Sequence, residues 1–504
     1  MSVFTTSASK IASVTFLVLL SLALLTRDNF QSYGFGAEYG NIAASLAKGK
    51  GYAQAFNGSS EPTAWMLPVN TLIYAAVFAV FGVKSKAAVW ACIVLCCLLW
   101  SISIYYLYKI CRLIAGDFAI LSILILGCYL WLNRVIIYNL DDIALINTIT
   151  LVTVYYLYVY LKYDRRYKIL LFLAGVLPLI SPGLFLAFAL VFVIKFAYLL
   201  LKKQPFYLSN VLLNPYSKII YLGLASVMAM SIWGYRNYQT LGVFIPSKSN
   251  FWYEFYQANM ADEDGVLNNR TFSTFHPSSH GKYRDLYDKL EEIGFVECMK
   301  QKSINEFKLP DYLDRVVNRL KFAFLRSRNT NFSYPANTRI LTKRNKEVLY
   351  HEGLVQEGQW ISLDMNYANF SEIMDNLALD HKAAIQKDWE NKKDIYIQQV
   401  EENPKYIVRE MSIALIPLLS IILGLIIRVI RKNTLFQLVV LVYIIQLLPY
   451  ILVSHYGRYQ YYLTTLQAIL VFTLTAILIK NIFSWLFPRH LGTMSLRFKK
   501  SDLN

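Results

Sequence analysis

Apolar runs of about twenty residues recur along this chain, separated by short polar connectors. A helix needs about 20 residues to cross the hydrocarbon core of a bilayer, so each run is long enough to be a membrane segment. The 504 residues are 56% hydrophobic and only 16% charged, whereas soluble domains carry about 25% charged residues. These features predict an integral membrane protein and exclude a soluble, disordered or fibrous one.

The apolar runs lie near residues 11–25, 68–82, 86–108, 113–132, 143–161, 169–201, 217–235, 409–427, 434–453 and 462–486. No small-residue cleavage site follows the first run, which indicates an uncleaved anchor. The run 169–201 is too long for one crossing, and Ser181-Pro182-Gly183 interrupts its backbone hydrogen bonding. We interpret this run as a tight helical hairpin. The pattern predicts an all-α polytopic membrane protein with about 10–11 transmembrane helices.

Charge divides the chain into three parts. Residues 236–408 carry 23 Lys and Arg against 24 Asp and Glu, whereas the remainder carries 27 basic and 9 acidic residues. Membrane proteins retain Lys and Arg on the cytoplasmic side. We therefore predict a transmembrane module 1–235, a mainly helical external domain 236–408, and C-terminal helices with a cytoplasmic tail in 409–504.

Basic connectors set the orientation of the segments. The connectors predicted to face the cytoplasm are 162–168, 202–203, 428–432 and 497–500, and both termini fall on that side. The segments predicted to be external are 27–66, 133–142, 236–408 and 454–461. One conflict arises, because three crossings between 67 and 132 would put 133–142 on the wrong side. Either the run 68–82 or part of 86–108 does not fully span the membrane.

Four acidic residues fall in the external connectors nearest the membrane: Glu38, Glu61, Asp141 and Asp142. Acidic groups against a bilayer are costly, and their retention indicates function. Such carboxylates serve as general bases or hold a divalent ion beside a phosphate. The structural alternatives are a favourable charge at a helix N-terminus for Glu38 and helix capping for Asp141 and Asp142. Two adjacent acids are one more than a cap needs.

Short motifs spread over most of the chain resemble those of a known family. They are Gly36-Ala37-Glu38, Ile42-Ala43, Gly49-Lys50-Gly51-Tyr52, Pro62-Thr63-Ala64-Trp65, Arg236-Asn237-Tyr238, Ser249-Asn250, Glu254, His276-Pro277, Leu309-Pro310 and Arg458-Tyr459. In these motifs the chain is similar to bacterial GT-C glycosyltransferases, and more specifically to the protein O-mannosyltransferase and aminoarabinose transferase group. Ala37 stands where that family often has Asp, so a carboxylate role in this loop rests on Glu38 alone.

The resemblance implies transfer of a sugar from a polyprenyl-phosphate carrier to a cell-envelope acceptor (lipid, glycan or protein). The reaction would take place on the external face of a bacterial plasma membrane, with no nucleic-acid partner. Glu38 would deprotonate or orient the acceptor, supported by Asp141 or Asp142. The implied donor-phosphate ligands are Arg236, Lys248, His455 and Arg458, and the implied substrate contacts are Tyr39, Trp65, Asn237 and Asn250. No cofactor is certain. A divalent cation stays open, although a lone carboxylate favours metal independence.

Two other functions are compatible with the pattern. A transporter or flippase of lipid-linked sugars is disfavoured because the chain has no repeated halves and only one broken run. A non-catalytic scaffold is favoured by the missing acid at position 37. The external domain carries amphipathic helical patterns over 283–302, 312–324 and 371–399 and no Gly-rich phosphate loop. By elimination, we predict that this domain recognises the acceptor or docks a partner.

Overall fold

The computed structural model is an almost wholly helical bundle, which confirms the all-α polytopic membrane class. The residues that it describes are 2–25, 35, 37–56, 61–132, 137–138, 140–202, 214–262, 265–267, 275–278, 282–325, 336–337, 364–365, 383, 387 and 415–486.

Sixteen α-helices are assigned within these residues. In the first half they are α1 (Ser2–Leu25), α2 (Ala37–Ala47), α3 (Pro68–Phe81), α4 (Lys86–Ala115), α5 (Ile120–Leu132), α6 (Ile143–Tyr163), α7 (Tyr167–Val176), α8 (Pro182–Leu201) and α9 (Pro215–Leu241). The rest are α10 (Phe251–Tyr256), α11 (Lys282–Glu306), α12 (Leu309–Leu325), α13 (Leu415–Ile426), α14 (Arg428–Arg431), α15 (Thr434–Leu452) and α16 (Thr464–Leu486).

The strands in the described part of the chain are two residues long. β1 (Val266–Leu267) pairs in parallel with β4 (His455–Tyr456), while β2 (Ala336–Asn337) pairs antiparallel with β3 (Asp364–Met365). The first pair joins the external domain to the connector that precedes the last helix. A 3₁₀ segment, Gly457–Leu463, then leads into α16.

Seven helices in the described residues are long and apolar enough to span a membrane: Ala8–Leu25, Lys86–Ala115, Ile143–Tyr163, Pro182–Leu201, Pro215–Leu241, Thr434–Leu452 and Tyr459–Ile479. Four shorter apolar helices accompany them: Pro68–Phe81, Ile120–Trp131, Tyr167–Leu179 and Leu415–Ile426. A multi-pass protein follows from these spans. Ten crossings with both termini cytoplasmic stay a prediction.

The long run 169–201 is broken where its sequence predicts. α7 ends at Val176, a 3₁₀ turn covers Leu177–Leu179, and α8 begins at Pro182. Ser181 caps α8 by accepting a hydrogen bond from the Leu184 amide at 3.4 Å. Proline suits the first helical position because its missing N–H would have no partner there.

Helix α3 bears on the conflict in the predicted crossings because it is short. Its 14 residues span ~21 Å at 1.5 Å per residue, short of the ~30 Å hydrocarbon core. Lys84, just beyond its end, donates to Asn41 of α2 at 2.7 Å. Tyr74, in its middle, donates to the Asp141 carbonyl at 3.1 Å. These contacts join the middle of α3 and the residues beyond its end to segments predicted to be external, which favours 68–82 as the run that does not cross; the number of crossings stays a prediction.

The segments predicted to be external gather at one end of the bundle. The Thr63 hydroxyl, in the first loop, donates a hydrogen bond to the Glu292 carboxylate of α11. Asn259 donates to the Val453 carbonyl at 2.9 Å. Asp164, in the connector 162–168 predicted to be cytoplasmic, forms a 2.6 Å ion pair with Lys218 near the start of α9.

Two of the three amphipathic patterns in the external domain correspond to helices. The predictions over 283–302 and 312–324 match α11 and α12. The third pattern, over 371–399, lies almost wholly outside the described residues, as does most of 330–405.

Candidate active site

Glu38 lies in the first turn of α2, at the end of the bundle where the predicted external segments meet. Its carboxylate oxygen Oε1 accepts hydrogen bonds from Trp65 Nε1 at 2.7 Å and from His276 Nε2 at 3.0 Å. The Glu38 side chain retains 14% of its exposure. Glu38 is therefore held in a fixed orientation by the first loop and the external domain, yet it is not sealed from a small reactant.

His276 has a defined hydrogen-bonding state. The Ser278 amide donates to its Nδ1 at 3.1 Å, and the Ser278 hydroxyl lies 2.6 Å from the same nitrogen. Nδ1 is thus the acceptor of the ring. A neutral imidazole with an acceptor at Nδ1 carries its hydrogen on Nε2, where it donates to Glu38.

An aromatic cluster surrounds this pair. Trp65 is fully buried, and its ring centroid lies 5.0 Å from that of Phe56 and 5.2 Å from that of Tyr253. His276 sits edge-on to Phe56 at 5.4 Å. The apolar surroundings lower the local dielectric and strengthen the hydrogen bonds to Glu38. Trp65, predicted to contact substrate, here orients the carboxylate instead of presenting an open ring face.

Asp142 is held from both sides by tyrosine hydroxyls. Tyr39 donates to Oδ2 at 2.9 Å and Tyr462 to Oδ1 at 2.8 Å, and the Asp142 side chain is buried. Burial is the main cause that raises the pKa of Tyr39, followed by the charge of Asp142 and its hydrogen bond, then by the charge of Glu38. Tyr39 directly follows Glu38 in the chain, and its hydroxyl donates to Asp142. Glu38 and Asp142, both predicted site residues, therefore act on the same tyrosine.

Asp141 does what the capping alternative predicted. Its Oδ1 accepts a hydrogen bond from the Ile143 amide at 2.9 Å, at the start of α6. Asp141 therefore caps the start of α6, whereas the Asp142 carboxylate accepts hydrogen bonds from the two tyrosines.

Glu61 faces another acid, Glu291 of α11. Partial desolvation, followed by the charge of Glu291 and a hydrogen bond with it, raises the pKa of Glu61. Glu291 has a φ of 57°, in the left-handed region that residues with a side chain rarely adopt, and this residue breaks the regular helix.

Glu292, directly after this break, is buried and joins the first loop to the external domain. It accepts a hydrogen bond from the Thr63 hydroxyl, one from the Ala64 amide at 2.8 Å and one from the Ser249 hydroxyl at 2.7 Å. Burial raises the pKa of Glu292, although these donors lower it in part. Sequence reasoning missed Glu292, because nothing distinguishes it from the other acids of an amphipathic helix.

A second polar group lies on the other side of Tyr253. Lys248 pairs with Glu254 at 2.7 Å, and Asn250 Nδ2 donates to the same carboxylate at 2.9 Å. The Tyr253 hydroxyl and the Asn250 Oδ1 are buried and have no hydrogen-bond partner among the described residues. Burial, then the charges of Glu38 and Glu254, raise the pKa of Tyr253. Its hydroxyl is a donor with unused capacity close to both carboxylates.

Arg236, predicted to bind phosphate, is engaged with the chain itself. NH1 donates to the Thr63 carbonyl at 2.7 Å, and NH2 donates to the Tyr52 carbonyl at 2.7 Å. Its neighbour Asn237, predicted to contact substrate, is buried and donates to the Ile245 carbonyl at 2.6 Å. These contacts fix the first loop against the end of α9. A phosphate role for Arg236 stays a prediction.

The remaining two predicted phosphate ligands lie in the last external connector. His455 is fully buried in β4, with its ring edge-on to Phe322 at 5.6 Å. The backbone of Arg458 lies in the 3₁₀ segment, and its side chain is outside the described set.

Within the described ranges, no three His, Cys, Asp or Glu side chains cluster in a way that could hold a metal ion. No family model, curated protein or solved structure matches the chain.

Proposed function

We propose that the protein is a glycosyltransferase that moves a sugar from a polyprenyl-phosphate carrier to a cell-envelope acceptor. The observation that carries this proposal is the Glu38 carboxylate, partly exposed and oriented by Trp65 and His276 at the end of the bundle where the predicted external segments meet. A general base needs a fixed position and access to the proton that it takes. Both conditions are met at this carboxylate.

In the proposed reaction, Glu38 accepts the proton of an acceptor hydroxyl. The acceptor oxygen forms a bond to the anomeric carbon of the sugar, while the bond from that carbon to the carrier phosphate breaks. The electron pair of the broken bond leaves with the phosphate. His276 keeps the carboxylate aligned, and Asp142 acts through Tyr39 as a positioning residue.

The second polar group suits the donor side of this reaction. Lys248 is the cation, and Glu254 is its present partner at 2.7 Å. A phosphate would compete with Glu254 for this ammonium, since charge-assisted hydrogen bonds of the two anions are similar. The Tyr253 hydroxyl and Asn250 Oδ1 would then gain a partner in the sugar hydroxyls.

The proposed location is a bacterial plasma membrane, with the site on the external face and both termini cytoplasmic. A polyprenyl carrier is confined to the bilayer, so an enzyme that uses it needs its site at the membrane boundary. Asp142 directly precedes α6, and Tyr462 lies just before α16, so part of the site lies at the ends of long apolar helices, which is compatible with that need.

The test uses purified protein in lipid vesicles with a panel of radiolabelled polyprenyl-phosphate sugars and a cell-envelope extract. Wild type is compared with Glu38→Gln and with Glu297→Gln, a matched change on the exposed face of α11. We expect label transfer by wild type and Glu297→Gln, and at least a hundredfold less by Glu38→Gln. If Glu38→Gln still transfers label, the protein is a transferase but Glu38 is not its general base. No transfer from any donor by folded wild type would favour a transporter or a scaffold.

A further inference from the structure

Helix α12 presents an apolar stripe that no described part of the chain covers. Its members recur at helical spacing and are each more than a third exposed: Leu309 at 57%, Leu313 at 50%, Val317 at 45% and Leu320 at 37%. Residues spaced by three and four lie on one face of a helix. The four side chains therefore form one continuous strip along α12.

The opposite flank of α12 packs against the bundle at the end of a membrane helix. Arg319 is fully buried and donates from Nε to the Ile451 carbonyl at 2.6 Å, while Tyr312 donates to the Leu452 carbonyl at 3.0 Å. Both carbonyls belong to the last turn of α15, which ends at Leu452. These hydrogen bonds fix α12 at the level where α15 leaves the membrane.

The third flank of α12 is polar. Asp314 and Lys321 are exposed on the flank that borders the apolar strip, and Asp311 is exposed farther round the helix. One flank bound to protein, one charged and one apolar is the arrangement of a helix lying in the plane of a membrane surface. Helix α12 also contacts α13, an apolar helix on which Ile416 and Leu419 are exposed.

We infer that α12 lies in the leaflet on the side of the external domain and binds lipid acyl chains through Leu309, Leu313, Val317 and Leu320. The charge pattern selects lipid as the occupant, because the acidic and basic residues line the flank that would face the headgroups and water. This contact does not depend on the proposed transferase activity. It anchors the external domain to the bilayer beside the site.

The test is photo-crosslinking of the full chain in vesicles of phosphatidylethanolamine and phosphatidylglycerol. Benzoylphenylalanine replaces Leu313 or Leu320 in the strip, and Asp314 or Lys321 as adjacent polar controls. Leu224, 56% exposed on membrane helix α9, is the positive control. We expect lipid adducts at Leu313 and Leu320 at a yield within about twofold of Leu224 and at least fivefold above the polar controls.

Two results would overturn the inference. One is an absence of lipid adducts at Leu313 and Leu320 while Leu224 gives them. The other is crosslinking of the strip to peptides of the same chain or of a second copy. Leu313 and Leu320 are tested in separate variants, each with its own polar control, so if one variant does not fold the other still decides the outcome. The measurement does not require sugar transfer.

Discussion

The imidazole of His276 donates from Nε2 to Oε1 of Glu38 across 3.0 Å, joining residues 238 positions apart in the chain. The two come from different parts of the molecule, α2 in the first loop and a turn of the external domain. The external domain is therefore part of the candidate site and not only a module attached to the bundle.

Replacing His276 tests how much the alignment of Glu38 contributes. A hydrogen bond to a charged group contributes about 1.5–3 kcal/mol, which corresponds to roughly a 10- to 100-fold change in rate. We expect His276→Ala to lower kcat by that factor with KM little changed, and His276→Gln, which keeps a donor, to recover part of the loss. Steady-state transfer assays over a range of donor concentrations measure both constants. Equal rates for His276→Ala and wild type would contradict the alignment role.

Tyr253→Phe removes a buried hydroxyl that has no partner among the described residues. The folded protein loses no hydrogen bond, so we expect an unchanged unfolding midpoint. If the hydroxyl binds the sugar, KM for the donor should rise about fivefold, in line with a lost hydrogen bond of ~1 kcal/mol. The control is Tyr287→Phe, whose hydroxyl lies 3.4 Å from Glu292 in the same aromatic cluster. Matching KM values for Tyr253→Phe and wild type would remove this residue from the site.

Glu292 should make stability depend on pH. Its folded-state pKa is raised above the ordinary value of 4.5, so the folded protein holds the proton more tightly than the unfolded chain. Stability therefore falls as pH rises from about 4.5 through the raised pKa, and is level above it. We expect Glu292→Gln to flatten this dependence in thermal unfolding measured between pH 4.5 and 8. An unaltered pH dependence of stability in Glu292→Gln would contradict a raised pKa for Glu292.

Replacing Glu292 by glutamine and by alanine should affect stability to different extents. Glutamine can still accept from the Ala64 amide, and the Thr63 and Ser249 hydroxyls can rotate to suit it. Glu292→Ala leaves the Ala64 amide unpaired, at a cost of about 1–3 kcal/mol. We expect a clearly lower unfolding midpoint for Glu292→Ala than for Glu292→Gln. Equally low midpoints for the two variants would show that the charge of Glu292, and not its hydrogen bond with the Ala64 amide, holds the loop.

Arg236→Ala separates a structural role from phosphate binding. The substitution leaves the Tyr52 and Thr63 carbonyls without their guanidinium donors, so we expect destabilisation by about 1.5–3 kcal/mol and faster proteolysis of the first loop. Denaturation of wild type and variant in the same detergent measures this. An unchanged midpoint with a raised donor KM would instead support the phosphate role.

The membrane class and most helices were predictable because apolar length and periodicity are local properties of the sequence. The crossing conflict was visible too, but the contact that bears on it, the Lys84–Asn41 hydrogen bond, joins two separate parts of the chain. The candidate site shows the same division. Glu38 was predicted from its charge next to the membrane, while the three donors to Glu292 come from distant segments that no sequence spacing connects.

The Glu292 contact also imposes an order on biogenesis. Thr63 precedes its partner by 229 residues, so the first loop leaves the ribosome long before the carboxylate that secures it. At about 5–20 residues per second, this delay is roughly 10–45 s. During that interval the helices up to α9 enter the membrane, while the first loop still lacks its hydrogen bonds to Glu292. The site is thus completed late in synthesis, after the first half of the bundle is in place.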